Sequence, residues 1–197
     1  FNINDNFQLK FLDDDGFKIE PEYYLPIVPM LLINGSEGIG SGYSTFIPKF
    51  KIQDIKESLI SKLENDKFIK LNPGYENFKG KVIKIDKQHY YTTGNISIEK
   101  DNIVISELPI GVWTEDYKHY LEKMLENSKI MRRIKNNSTD KEVLFEIKIH
   151  DYGIEMLKKM PENDLLDYFK LRKKLSLTNM HCFNSEGKLQ KYNSANN

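Results

Sequence analysis

Four neighbouring segments decide the fold class: Lys81-Val-Ile-Lys-Ile85, His89-Tyr-Tyr-Thr-Thr93, Asn95-Ile-Ser-Ile-Glu99 and Asn102-Ile-Val-Ile-Ser-Glu-Leu108. Each alternates or runs apolar between turn residues, so together they read as one antiparallel meander. Downstream, Thr114 opens Thr-Glu-Asp-Tyr-Lys-His-Tyr-Leu-Glu-Lys-Met-Leu-Glu-Asn, a helix capped by Thr114, with acids in its first turn and Tyr117, Leu121, Met124 and Leu125 on one face. A strand is expected over 142–150, then short helices over 152–159 and 162–169 parted at Pro161, and a final hairpin pairing 175–183 with 188–192 across Asn184-Ser185-Glu186-Gly187. Upstream, Ile52, Ile55, Leu59, Ile60 and Leu63 recur at helical spacing and predict a helix over 53–65. Before it, Pro21, Pro26 and Pro29 interrupt an apolar stretch ending at Ile33, which reads as a buried, extended crossing. Residues 1–22 are acidic and read as a solvated connection with a turn at Asp13-Asp14-Asp15-Gly16. The pattern is α+β, an antiparallel β-sheet with flanking helices.

The chain has 197 residues and 23.2 kDa, enough to bury a core. Twenty-nine Lys and Arg balance 29 Asp and Glu, so only a local concentration of charge could mark an anionic partner. The charge-free stretch from Tyr23 to Ser36 is short of the roughly 20 apolar residues of a membrane span and carries two prolines, so no membrane partner is expected. One cysteine, Cys182, excludes an internal disulfide and a cysteine-clustered zinc site. The four histidines, His89, His119, His150 and His181, show no metal-ligand spacing, and Asp13 to Asp15 read as a surface turn, so no metal residues and no cofactor are expected in this chain. Phe1 is neither a start methionine nor the head of a signal sequence, and the expectation is an excised fragment.

The sharpest local feature is Asn34-Gly-Ser-Glu-Gly-Ile-Gly-Ser-Gly-Tyr-Ser44, with four glycines in eleven residues. Three readings stand open. A nucleotide-binding loop lacks support, because no Lys-Ser/Thr pair follows and the glycine spacing departs from the dinucleotide fingerprint. A tight turn requiring positive φ explains glycines with no partner at all. The third reading takes Ile39, held between Gly38 and Gly40 with Lys49 and Lys51 downstream, as an apolar wedge that enters a base step while bare backbone approaches the duplex.

The stretch from Glu20 through Leu25, Pro26 and the glycine loop to Ser44 resembles the segment that follows the catalytic tyrosine in eukaryotic-type DNA topoisomerase II. Phe78-Lys-Gly80, Ile105-Ser-Glu-Leu-Pro109, Trp113-Thr114, Ser176-Leu-Thr-Asn-Met180 and Gly187-Lys-Leu-Gln-Lys-Tyr192 recur in that family's order. The resemblance implies the end of a winged-helix domain and its connection over 1–36, a tower domain over 37–192, and the truncated start of a further helix over 193–197. It implies a nucleophilic Arg-Tyr pair shortly before Phe1, and none of the eleven tyrosines here follows an arginine. No catalytic residue is therefore expected in the chain, while Mg2+ and ATP serve the full-length enzyme.

By the resemblance, Ile39 intercalates into the cleaved duplex and bends it. The run Lys170, Leu171, Arg172, Lys173, Lys174, Leu175, Ser176, Leu177, Thr178 and Asn179 matches a segment that contacts double-stranded DNA. Its four positive charges and no negative one would otherwise be a solvated face. The resemblance further implies a homodimer in the nucleus. Two departures are visible: Gly111-Val112 stand where the family has arginine and threonine, and Tyr43 replaces a tryptophan. Trp113 and Tyr43 are expected in the core. Lys129, Arg132, Arg133 and Lys135 form a second basic group without a family counterpart. Outside the family, the residues also admit a non-catalytic β/α scaffold or a small nucleotide enzyme.

Overall fold

The computed structural model of the protein describes residues 3–196. A 3-10 turn over Ile3–Gln8 leads into a hairpin of β1 (Phe11–Asp14) and β2 (Phe17–Pro21), with Asp15 and Gly16 at positive φ in its turn. The acidic start is therefore structured, where a plain connection was expected. Helix α1 (Met30–Asn34) follows Pro29, and the stretch before it is exposed: Ile27 is 99% accessible. This corrects the buried crossing, because prolines that forbid a ladder also leave the apolar side chains without a sheet to pack on. Strands β3 (Ser36–Gly40) and β4 (Tyr43–Ile47) form the glycine hairpin, and helix α2 (Ile52–Asn65) follows as the apolar spacing predicted.

The expected meander is divided. Strands β5 (Lys81–Lys84) and β6 (His89–Thr93) pair with each other, whereas β7 (Asn95–Glu99) and β8 (Asn102–Glu107) belong to a different sheet. The chain crosses between sheets at Gly94, whose N–H donates to the Leu171 carbonyl at 2.8 Å. A Cβ there would lie 2.3 Å from the Glu107 carbonyl oxygen, so this approach needs glycine. Periodicity marks strands but carries no sign of which neighbour each takes.

Helix α3 (Thr114–Asn127) begins with Trp113 at the N-cap and no side-chain cap bond, so Thr114 sits inside the helix and is not its cap. Strands β9 (Met131–Asn136) and β10 (Phe145–Ile149) complete a four-stranded antiparallel sheet in the order β7-β8-β10-β9. Residues 142–144 and His150, expected in this strand, lie outside β10. Helices α4 (Asp151–Lys158) and α5 (Glu162–Tyr168) are parted at Pro161 as expected. Strand β11 (Arg172–Ser176) joins β6 and β5, and only β12 (Met180–Phe183) pairs with β13 (Leu189–Tyr192). The long final hairpin is thus shorter than predicted, because Leu175 and Ser176 are drawn into β11 opposite Tyr90 and His89. Residues 193–196 form bends and turns, and Asn197, the end of the helix start expected over 193–197, lies outside the described residues.

Three apolar clusters hold these parts. Ile103, Ile105, Phe145 and Ile147 from the four-stranded sheet pack on Tyr117 and Leu121 of α3, Leu157 of α4 and Leu166 of α5. Ile47 at the base of the glycine hairpin packs with Tyr90, Leu175, Leu177 and Met180. Phe50, Ile55 and Leu71 seat α2. The second cluster matters for function, since it fixes the hairpin to β11.

Candidate nucleic-acid interface

The glycine loop folds as a two-residue β-hairpin in which Gly40 faces Tyr43, Ile39 faces Ser44 and Gly38 faces Thr45. Gly42 takes φ +82° in the turn, so the tight-turn reading holds there. It does not explain Gly38 or Gly40. Neither has positive φ; a Cβ on Gly38 would meet nothing within 4 Å, and one on Gly40 only the Tyr43 carbonyl at 3.8 Å. The fold makes no use of these two missing side chains, which leaves them available for close approach by another molecule. Ile39 between them is 94% exposed. A phosphate cradle is excluded because the loop joins two strands and does not open a helix.

The stem is anchored to the β11–β12 segment. Phe46 N–H donates to the Asn179 carbonyl at 2.8 Å, Asn179 Nδ2 to Ser44 Oγ at 2.8 Å, and His181 N–H to Thr45 Oγ1 at 3.1 Å, while Thr45 Oγ1 donates back to the His181 carbonyl at 2.7 Å. The glycine loop and the Lys170–Asn179 run, far apart in sequence, thus form one surface. Between them lies a groove of about 570 Å³ whose lining includes Lys49, Lys173, Lys174, Tyr75 and Trp113.

The run divides by residue. Leu171, Leu175 and Leu177 are buried, so their side chains cannot meet a duplex and instead hold the strand in the core. Arg172 is paired with Asp167 through both Nε and Nη2 and lies over the Tyr91 ring at 4.8 Å, so its charge is already partnered. Lys170 lies over the Tyr120 ring at 4.3 Å and does not line the groove. Lys173 reaches across it, with Nζ donating to the Gly111 carbonyl at 2.7 Å; Lys174 is exposed and makes no ion pair among the described residues. Ser176 and Thr178 bond each other at 2.9 Å, while Ser176 and Asn179 line the groove. Lys51 is exposed outside it, at the N-cap of α2.

Two residues expected in the core are on the surface. Trp113 is 76% and Tyr43 64% exposed, the first in the groove and the second beside Ile39. Tyr75 also lines the groove, and its place after Pro73-Gly74 carries no periodic signal that would single it out in the sequence. Burial pushes its phenol up to about 12, against the opposing effect of the Lys49 backbone N–H. Of the second basic group, Arg132 Nε donates to His150 Nδ1 at 2.8 Å, while Arg133 and Lys135 stand opposite Lys148 and Glu146 in the β9–β10 register. Among the described residues no group of three His, Cys, Asp or Glu could hold a metal, and no helix is long and apolar enough to cross a membrane.

The DNA gyrase/topoisomerase IV A-subunit family model matches residues 1–197. The DNA topoisomerase 2 of Plasmodium falciparum (isolate K1 / Thailand) is 40% identical over 195 residues, 98% of this chain and 14% of that protein. The mitochondrial DNA topoisomerase 2 of Dictyostelium discoideum is also 40% identical, over 98% of this chain and 15% of its own length. Human DNA topoisomerase 2-alpha is 36% identical over 98% of this chain and 13% of its own length. The crystal structure of the Plasmodium falciparum topoisomerase II DNA-binding, cleavage and re-ligation domain superposes with a TM-score of 0.88 at 38% identity, covering 99% of this chain and 27% of that one. The chain therefore spans only a small part of the curated relatives it matches.

Proposed function

The chain belongs to the DNA gyrase/topoisomerase IV A-subunit family of type II DNA topoisomerases, and from that membership we propose that it binds and bends the DNA segment cut by an ATP-dependent type II topoisomerase, an enzyme of double-strand passage, relaxation and decatenation. One observation carries the reading. Ile39 stands almost fully exposed at a hairpin tip, between two glycines that the fold itself does not need, on a stem bonded to a lysine-lined groove. Opening a base step costs a few kcal/mol of stacking, and bending a short duplex costs about 1 to 6 more, so both must be offset by contacts that only bent DNA reaches. Ile39 recovers part of the first by filling the opened step. Lys49, Lys173 and Lys174 recover part of the second by holding phosphates, which positions the duplex without reading bases.

The wider reading has residues 1–36 ending a winged-helix domain, 37–192 forming the tower, and 193–197 opening the next helix. In the whole enzyme Mg2+ and ATP drive the cycle, two copies pair as a homodimer, and the site of action is the nucleus. The names of the relatives and the fold match to a DNA-binding, cleavage and re-ligation domain support DNA as the partner. The test is Ile39→Ala in the complete enzyme, with the end-to-end distance of a doubly labelled duplex followed by energy transfer. The substitution removes the wedge without touching a charge. Bending and strand cleavage should fall while affinity for linear duplex holds; an unchanged bend overturns the reading.

A further inference from the structure

The glycine hairpin is not alone in presenting apolar side chains at its tip. In the β12–β13 hairpin, Phe183 and Leu189 are direct cross-strand partners at the end nearest the loop, and they are 72% and 42% exposed. They share one groove of about 340 Å³ with Ile39 and Tyr43, with the bare Gly38 and Gly40 in its lining. The reciprocal bonds between Thr45 and His181 tie the two hairpins together, so the four residues border one fixed groove. An exposed patch of this kind, continuous with a contact surface, marks an interaction site.

The chemistry of the two grooves differs. The groove beside β11 carries Lys49, Lys173 and Lys174 against a single carboxylate, Glu37, whereas no Lys, Arg, Asp or Glu lines this one. It is therefore unsuited to phosphates and suited to the neutral parts of a nucleotide. Those parts are uncovered where a wedge opens a step: the unstacked base faces and the deoxyribose edges beside them. Aromatic rings suit both, because stacking on a base face is indifferent to which base it is.

We propose that the β12–β13 hairpin is a second apolar contact on the duplex, in which Phe183, backed by Leu189 and flanked by Tyr43, covers the base and sugar surface exposed by Ile39. The inference rests on the wedge reading above, and its occupant is the same duplex, since the patch is continuous with Ile39. It explains why Gly38 and Gly40 are bare on the wall that a strand would pass.

The experiment uses the complete enzyme and the doubly labelled duplex, with Phe183→Ser, Phe183→Leu and Ile39→Ala compared with the parent. Phe183→Ser should lower the ratio of bent to straight duplex about tenfold, the size expected from one lost aromatic contact with a base. Phe183→Leu should retain most of the bend, and both variants should keep the parent's salt dependence, since neither touches a charge. Since Phe183 is exposed, thermal unfolding should not change. A parental bend in Phe183→Ser alongside a lost bend in Ile39→Ala overturns this proposal and spares the wedge; it is also the outcome if the patch serves another protein. A parental bend in both variants overturns the wedge itself. Equal loss in Phe183→Ser and Phe183→Leu with a lowered unfolding temperature overturns the contact in favour of a packing role.

Discussion

Asn179 Nδ2 donates to Ser44 Oγ at 2.8 Å, joining residues 135 positions apart at the point where the lysine strand meets the wedge hairpin. Beside it the Asn179 carbonyl accepts from Phe46 N–H, so backbone and side chain of one residue hold the same stem. Asn179→Ala removes only the side-chain bond and should cost about 1 kcal/mol, the usual net worth of such a bond. The loss should be local. Amide exchange within 36–47 should quicken while the four-stranded sheet stays protected, and the bend imposed on a duplex should broaden in distribution. Uniform exchange across the chain would show that Asn179 does not order the hairpin.

Lysines that hold phosphates should be separable from cations that hold the fold. Neutralising Lys173 or Lys174 with Gln should each reduce the slope of log affinity against log salt by about 0.9. Arg172→Gln should leave the slope nearly unchanged, because Asp167 already partners that guanidinium. It should instead weaken the corner between α5 and β11. Titration of duplex binding from low to moderate salt distinguishes these, and equal slopes for Lys173→Gln and the parent would remove Lys173 from the interface.

Phenols shielded from water set an alkaline limit, the partly buried Tyr75 and the buried Tyr117 most strongly. Burial is the main cause of the upward shift at Tyr75, to about 12, and of that at Tyr117, whose hydroxyl also donates to the Phe169 carbonyl at 2.7 Å. A group whose folded pKa is raised holds its proton more tightly in the folded state. Its stabilisation is complete below the free phenol value of about 10 and is lost as pH climbs above that. Denaturation midpoints should be flat from pH 7 to 9 and fall by pH 11. Tyr117→Phe should be less stable at neutral pH by about 1 kcal/mol, through the lost hydrogen bond, yet decline less between pH 9 and 11. A parental decline in that variant would assign the alkaline limit elsewhere.

The sequence was most legible where local chemistry decides structure. Helix α2, the Pro161 break and the Asn184–Gly187 turn follow from spacing and turn residues that need no knowledge of neighbours. Pairing was not legible. Nothing in Thr93-Gly94-Asn95 says that β6 turns to β11 while β7 turns to β8; that is decided by the close passage at Gly94, a contact with Glu107 and Leu171. Exposure misled in the same way. Trp113 and Tyr43 read as core because large aromatics usually are, and only the groove and the hairpin tip reveal them at the surface. Within the lysine run, charge is written in the residue types but partners are not. Arg172 and Lys173 look alike there, and only the fold sets Asp167 beside one and the Gly111 carbonyl beside the other.

Gly38 and Gly40 offer the most direct separation of fold from function. A glycine inside a strand costs about 0.5 to 1 kcal/mol relative to alanine, and neither position has positive φ or a neighbour closer than 3.8 Å to a new Cβ. Gly38→Ala and Gly40→Ala should therefore leave the unfolding temperature unchanged or slightly raised. Gly94→Ala, by contrast, would press a methyl to 2.3 Å from the Glu107 carbonyl and should unfold the junction of the two sheets. If the bare backbone exists for the duplex, Gly38→Ala and Gly40→Ala should weaken bending in the complete enzyme although Ile39 and every lysine remain. Thermal melts and energy transfer on the same preparations test this together. Stable variants that bend DNA like the parent would mean that the glycines serve neither the fold nor the duplex.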